Sequence, residues 1–132
     1  MLALDTSVLA RLLIGDDPAQ QALVERLVSE HDCLVGWTVL VELCWVMERS
    51  ANLPRAKVAA ALRLLQEMDG MTFPSDDGFD WALARYECGA DFADMIHLVA
   101  VQGGCSEFAT FDRRMKGQAS ETTPLLIRTL HA

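Results

Sequence analysis

The sequence predicts an α/β sandwich of three layers, with a central, mostly parallel sheet of four to five strands between helices. Short apolar stretches alternate along the chain with segments of helical periodicity. No internal repeat and no low-complexity linker interrupts this alternation, which is typical of parallel sheets covered by helices. The length of 132 residues and the apolar content of 52% fit one domain, residues 1–132, with a sizeable core.

The strands are predicted from apolar stretches that are too short to be helices. They are Met1 to Asp5, Cys33 to Gly36, Met71 to Phe73, Phe108 to Phe111 and Pro124 to Arg128. Asp5 ends the first of these strands, and Asp112 follows the fourth. Because ligands of parallel α/β folds bind beyond the carboxyl ends of the strands, both acids belong at the edge where a site is expected.

The helices are predicted where apolar residues recur at helical spacing behind a start signal. Thr6 or Ser7 can cap the first helix, and Asp17, with Pro18 at the first helical position, starts a second helix that runs to about Glu30. The residues of this second helix that are expected to face inward are Ala22, Leu23, Leu27 and Val28. The later helices are expected from Val39 to about Ser50, from Leu53 to Met68, from Phe79 to Cys88 and from Asp91 to Gln102.

Two of these helices have specific expectations for burial. The third helix should bury Leu40, Leu43, Cys44 and Met47, and the fourth should bury Val58, Ala61, Leu62 and Leu65. The four cysteines form no CxxC pair, so they indicate neither a zinc site nor a disulfide framework, and we expect each to be a small buried residue.

The helix from Asp91 to Gln102 carries two acids, Asp91 and Asp94, at its start. At a spacing of three residues they lie on one face of the helix, in the turn that favours negative charge. The apolar residues that follow, which are Met95, Ile96, Leu98, Val99 and Val101, predict a buried helix that carries its acids to an internal edge. Carboxylates held close together raise one another's pKa unless a cation is bound between them.

Five acids are candidates for a metal centre at this edge of the sheet. They are Asp5, Glu42, Asp91, Asp94 and Asp112. Oxygen ligands with no accompanying His or Cys cluster suit Mg²⁺ or Mn²⁺ rather than zinc. Such an ion bound to a phosphodiester lowers the pKa of an attacking water and stabilises the leaving oxygen. The predicted reaction is therefore metal-dependent phosphodiester hydrolysis.

Each acid also has a purely structural interpretation. Asp5 can cap a helix, Asp112 can be a turn residue, and Glu42 can extend from its helix to solvent. Asp91 and Asp94 can simply complement the helix dipole. Their joint placement favours a site, because five independent acids need not fall at one edge of one sheet.

Several other polar side chains are candidates for support of the reaction or for contact with a phosphate backbone. They are His97, Arg113, Arg114 and Lys116. His97 is more readily interpreted as a core or supporting histidine than as a ligand, and the three cations fit a solvated helix face equally well. The tryptophans Trp37, Trp45 and Trp81 are interpreted as core or interface residues.

The composition limits the class of protein. A formal charge of −8 argues against an extended basic surface for nucleic acid, although a local basic rim is compatible with it. No apolar run reaches the roughly 20 residues of a membrane span, and the first residues lack the features of a signal peptide. We therefore expect a cytoplasmic protein with no membrane contact.

Five motifs in this order resemble the PIN-domain family, and more narrowly its VapC-type toxin ribonucleases of bacterial toxin–antitoxin pairs. The motifs, which span nearly the whole chain, are Leu4 to Leu9, Asp16 to Gln20, Thr38 to Leu43, Gly89 to Asp94 and Thr110 to Arg114. The resemblance implies a PIN-like α/β/α sandwich. It also implies that Asp5, Glu42 and Asp94, with Asp91 beside it, form an acidic Mg²⁺ or Mn²⁺ centre, with Asp112 as a more variable acid.

The resemblance further implies RNA as substrate, a homodimer, and a cognate VapB-like antitoxin whose C-terminal segment wraps the toxin. An antitoxin Arg placed in the acidic pocket would replace the charge of the metal. Ser7 departs from the family pattern, which more often has Asn there, but its hydroxyl can still bond to a neighbouring carboxylate. The alternative is a PIN-like interaction protein with little or no nuclease activity, against which the retention of all five acids argues.

Overall fold

The computed structural model describes residues 1–132 and contains seven helices and five short strands. All strand pairs are parallel, so the mixed α/β class predicted from the sequence is confirmed. No helix is both long enough and apolar enough to cross a lipid bilayer. The chain divides into two compact units, Met1–Asp76 and Asp77–Ala132, which are described in turn.

The first unit contains three strands and four helices. Its elements are β1 (Leu2–Ala3), α1 (Thr6–Ile14), α2 (Pro18–Glu30), β2 (Cys33–Leu34), α3 (Trp37–Arg49), α4 (Arg55–Glu67) and β3 (Met71–Thr72). The strands form one sheet in the order β1-β2-β3. Helix α1 packs against α2 and α3, and α3 packs against α4.

The second unit contains two strands and, beginning at its boundary, three helices. Its elements are α5 (Asp76–Glu87), α6 (Phe92–Val101), β4 (Glu107–Thr110), α7 (Met115–Ala119) and β5 (Leu126–Thr129). Strands β4 and β5 pair in parallel along their whole length, with Glu107 opposite Leu126.

The five strands form two hydrogen-bonded sheets, where the sequence predicts one sheet of four to five strands. The first three strands are only two residues long, because helices follow almost at once. Asp5 and Gly36 already occupy the N-cap positions of α1 and α3. Short strands of this kind leave few backbone groups for pairing, whereas the four residues of β4 are fully paired with β5.

The predicted burial is confirmed for α3 and largely for α4. Helix α3 buries Leu40, Leu43, Cys44 and Met47, which are the four residues predicted. In α4 the buried residues are Val58, Ala59, Leu62 and Leu65, so only the choice of Ala61 was wrong. Helical spacing identified these faces because each helix has one continuous apolar stripe.

The predicted burial is wrong for much of α2. Only Val24 of this helix is buried, while Leu23 is 69% exposed. Ala22 is also exposed, and Leu27 and Val28 are half-buried. The spacing from Val24 to Leu27 and Val28 defines a narrow inward stripe, and Leu23 lies outside it. The predicted start of α2 is confirmed, because the Asp17 carboxylate accepts a hydrogen bond of 3.1 Å from the Gln20 N–H.

The four cysteines are free thiols, and two of them are not buried as predicted. Cys33 and Cys44 lie in the core, whereas Cys88 and Cys105 are exposed. Both exposed cysteines lie just beyond the end of a helix, α5 or α6, where helical periodicity no longer indicates which side chains face inward.

Neither residue proposed as the cap of α1 has that role, because Asp5 occupies the N-cap position. Thr6 is the first residue of the helix, and its side chain is only 5% exposed. The Thr6 hydroxyl is buried without a hydrogen-bond partner. An unpaired buried hydroxyl costs stability because it loses its bonds to water and gains none in the protein.

We therefore predict that Thr6→Val stabilises the protein. A methyl group in place of the unpaired hydroxyl should raise the free energy of unfolding by about 1 kcal/mol. Thr6→Ser, the control, keeps the hydroxyl but removes a methyl group and should lower that free energy by about 1 kcal/mol. Urea unfolding of the three proteins measures both changes. A destabilised Thr6→Val protein would show that the hydroxyl has a partner.

Candidate functional site

The N-terminus of α6 positions two of the predicted site residues. The helix begins at Phe92, one residue later than predicted, so Asp91 is its N-cap and Asp94 lies in its first turn. Asp91 Oδ1 accepts a hydrogen bond of 2.9 Å from the Asp94 N–H. The predicted burial of the helix is confirmed except at Val101, which is 42% exposed in the last position. Packing and capping thus fix both carboxylates at this helix end.

Gln118 of α7 binds the backbone of Asp91, the N-cap residue of α6. Its Oε1 accepts a hydrogen bond of 3.1 Å from the Asp91 N–H. Its backbone carbonyl accepts a bond of 2.7 Å from Arg85 Nε of α5. Gln118 therefore links α7 to α5 and to the start of α6. No local sequence pattern indicates this role, because the bonding partners of Gln118 lie 27 and 33 residues away.

Asp112 lies in a tight turn after β4. Its N–H donates to Thr110 Oγ1 at 3.0 Å, and its Oδ1 accepts the Arg114 N–H at 2.9 Å. The Arg114 guanidinium also contacts this carboxylate, with Nε 3.3 Å from Oδ1 and the terminal nitrogen Nη2 3.4 Å from Oδ2. Arg114, which the sequence offered as a contact for phosphate, is thus paired with Asp112.

The three acids of the second unit form one electrostatically coupled group. Burial raises the pKa of Asp94, and the charges of Asp91 and Asp112 raise it further. The charges of His97 and Arg114 oppose this effect. For Asp112 the effect is the reverse, because the hydrogen bonds from Arg114 lower the pKa of the Asp112 carboxyl. The pKa values of Asp94 and Asp112 are therefore shifted in opposite directions.

Two further predicted acids lie in the first unit. Asp5 is exposed, and its carboxylate makes no capping hydrogen bond to the backbone N–H groups of α1. That carboxylate instead accepts a bond of 2.9 Å from Ser7 Oγ, which is the hydroxyl–carboxylate bond expected when Ser stands in place of Asn. Glu42 is exposed on the second turn of α3.

The other polar and aromatic candidates are mostly exposed. His97 is exposed on α6, so it is not a core residue, and it lies near enough to Asp94 for its charge to lower the pKa of that acid. Arg113 and Lys116 are exposed. Trp45 is 57% exposed, whereas Trp81 is half-buried and donates a hydrogen bond of 2.9 Å to Thr122 Oγ1.

Phe111 is not among the candidate residues predicted from the sequence. Its side chain is 70% exposed, and it immediately precedes Asp112. A signal was present, because the alternation of β4 places Phe108 and Thr110 on the more buried side and thereby leaves Phe111 on the exposed side.

Neither unit by itself brings three or more His, Cys, Asp or Glu side chains into an arrangement that could hold a metal ion. The donor chemistry of the second unit nevertheless fits a hard divalent cation. Asp91, Asp94 and Asp112 offer only carboxylate oxygens, which Mg²⁺ and Mn²⁺ prefer. Burial, and then the charges of Asp91 and Asp112, raise the Asp94 pKa, and a bound cation would counter these effects.

Comparison with known families assigns the chain to a family. The sequence profile of the PIN domain family matches residues 2–120. The chain therefore belongs to the PIN domain family. PIN domains are typically nucleases and generally use divalent metal ions. No curated protein matches the chain significantly.

The raised pKa of Asp94 predicts how stability depends on pH in the absence of metal. The pKa of the Asp94 carboxyl is higher in the folded state than in the unfolded state. Its contribution to the free energy of unfolding is therefore fully present below the unfolded-state pKa and is lost as pH rises through the folded-state pKa. Asp94→Asn should remove this loss and raise the free energy of unfolding at pH 7 by about 0.5 kcal/mol, the scale of a like-charge pair on a helix. The gain should vanish near pH 3, as measured by urea unfolding in EDTA.

Asp112→Asn is the matched control, and its effect should have the opposite sign. The lowered pKa of Asp112 means that its charge stabilises the fold above the unfolded pKa, and this contribution is lost as pH falls through the folded pKa. Asp112→Asn should therefore destabilise the protein at pH 7 and have little effect in strong acid. Equal pH profiles for the two variants would contradict the opposite shifts.

Proposed function

We propose that this protein is a metal-dependent endoribonuclease that acts as the toxin of a type II toxin–antitoxin pair. It would hydrolyse RNA phosphodiester bonds with a metal-activated water, as a single PIN domain over residues 1–132. The observation that carries the proposal is the coupled acidic group at the start of α6, where a half-buried Asp94 lies near two more carboxylates. Neighbouring carboxylates repel one another in the metal-free protein, and a bound cation would relieve that repulsion.

Five acids would hold Mg²⁺ or Mn²⁺ in this proposal. They are Asp5, Glu42, Asp91, Asp94 and Asp112. When bound, the ion would lower the pKa of the attacking water and shield the charge of the phosphate. Asp94 is the stronger candidate for direct contact, because Asp91 Oδ1 is already occupied by the helix cap. Asp91 would then act through its second oxygen or through water.

The remaining polar residues would keep these acids in position. The Ser7 hydroxyl orients the Asp5 carboxylate, and Gln118 fixes the backbone of Asp91. Arg114 orients Asp112 through its backbone and guanidinium bonds. Orientation of this kind matters because misplaced ligand groups weaken both metal binding and catalysis. His97 would tune the charge of Asp94 by its position on α6.

RNA is the proposed substrate because PIN domain proteins commonly bind RNA and because exposed cations lie beside the acids of the second unit. Arg113 and Lys116 follow Asp112 closely in the chain, and both are exposed to solvent. They would contact phosphates, while Arg114 remains with Asp112. A short basic segment of this kind gives local attraction on a chain whose formal charge is −8.

The proposed partners rest on membership of the PIN domain family. PIN domain proteins commonly act with antitoxins, and we propose a VapB-like antitoxin and a homodimer for this chain. A basic antitoxin segment would be attracted to the negative charge of the toxin and could compete with the metal for the acids. The cytoplasm is the proposed location, because the substrate is cellular RNA.

The direct test is metal-dependent cleavage of a pool of structured cellular RNAs by the purified protein. We expect cleavage at few sites with Mg²⁺ or Mn²⁺ and none in EDTA. Asp94→Asn and Asp5→Asn should each reduce the rate by about 100-fold or more, since even the loss of an outer-shell partner costs about 10- to 100-fold.

Asp17→Asn is the control for this experiment. It makes the same chemical change at an acid that caps α2. Because Asn caps a helix as well as Asp does, the cleavage rate of this variant should match that of the wild type. Equal cleavage by the wild type and the two site variants would indicate a contaminating nuclease. No metal-dependent cleavage by the wild type would overturn the proposal and favour an interaction protein.

A further inference from the structure

We propose that Phe111 is a stacking platform for an unpaired base of the RNA substrate, beside the acidic group of the second unit. The inference rests on the proposed ribonuclease function and adds the feature that selects single-stranded RNA. Base stacking on aromatic side chains is a common means of binding single strands, because every base has a π face.

The first support is the exposure of Phe111 in an ordered segment. Its side chain is 70% exposed. The backbone around it is nevertheless fixed, because the Asp112 N–H bonds to Thr110 Oγ1 and the Arg114 N–H bonds to Asp112 Oδ1. An exposed ring on a fixed turn is already placed for stacking, so little conformational entropy is lost when a ligand binds.

The second support is the position of the ring beside the acids. Phe111 adjoins Asp112, and the charge of Asp112 acts on Asp94. On the other side of Asp112 lies the exposed cation Arg113. A ring, a cation and one acid of the group within one turn would let the protein bind a base, contact a phosphate and present the neighbouring phosphodiester to the proposed metal site.

The third support is the overall charge of the chain. Proteins usually gain affinity for nucleic acid by neutralising phosphates with many cations, and a chain with a charge of −8 has little of this contribution. Stacking is an attraction that does not depend on the net charge. An exposed aromatic residue beside the acids therefore supplies affinity that the electrostatics of this protein do not.

The test is the affinity for a short single-stranded RNA, measured in the Asp94→Asn background so that the RNA stays intact. Phe111→Ala and Phe111→Leu should each weaken binding by about 5- to 150-fold, which is the usual cost of losing one base stack. Phe111→Tyr and Phe111→Trp keep a π face and should bind within about 3-fold of the parent. The Leu variant separates stacking from general apolar contact.

Leu126→Ala is the matched control, because Leu126 is 68% exposed in the same unit and should not affect RNA affinity. Duplex RNA should bind weakly to all variants, since its bases are already stacked. Arg113→Gln should reduce the slope of log affinity against log salt by about 0.7, whereas the Phe111 variants should leave that slope unchanged.

The outcomes separate this inference from the proposed function. If wild-type protein cleaves RNA and Phe111→Ala binds as tightly as the parent, the stacking role is wrong and the nuclease stands. If Phe111→Leu binds as tightly as the parent, the contact with RNA is a general apolar one and the stacking role is overturned. If Phe111→Ala changes the oligomeric state in light scattering, the ring serves a protein contact and the stacking role is likewise overturned. Loss of binding in Phe111→Ala without any metal-dependent cleavage by the wild type would support the platform and overturn the nuclease.

Discussion

The hydrogen bond between the Asp91 carboxylate and the Asp94 N–H is the contact on which the site of the second unit depends. It caps α6, which begins at Phe92, and holds the Asp91 carboxylate against the backbone of Asp94, while the apolar face of the helix keeps Asp94 half-buried. The helix dipole favours negative charge here, but burial and the neighbouring acids oppose it and raise the Asp94 pKa. The fold thus holds a carboxylate whose charged form is disfavoured by its surroundings, and a bound cation would counter that effect.

The Asp112 turn complements this helix end. Arg114 satisfies Asp112 through three hydrogen bonds, so one acid of the group is already neutralised by a residue of the same chain. A metal ion near Asp112 would therefore meet a guanidinium that is already hydrogen-bonded to that carboxylate, whereas Arg114 acts on Asp94 through its charge alone. This difference supports the proposal that Asp94, rather than Asp112, contacts the metal directly.

The sequence predicted the parts of the structure that depend on local patterns. Spacing identified the buried face of α3, and the Asp17 cap followed from its position before a proline. Features that depend on distant contacts were not predictable. The rotation of α2 is set by what it packs against, so Leu23 was wrongly placed in the core, and the bonds of Gln118 join residues far apart in the chain. The five candidate acids were predicted from their places at strand ends and in apolar helices, and such places do not say how the side chains are oriented.

The most direct test of the central claim is the melting temperature of the wild type and of Asp94→Asn with and without millimolar Mn²⁺. A ligand that binds only the folded state at about 100 times its Kd adds about 2.7 kcal/mol, and each kcal/mol corresponds to about 2–8 °C for domains of this size range. We expect a rise of several degrees for the wild type and little or none for Asp94→Asn. No rise for the wild type, or an equal rise for both proteins, would contradict a cation site built around Asp94.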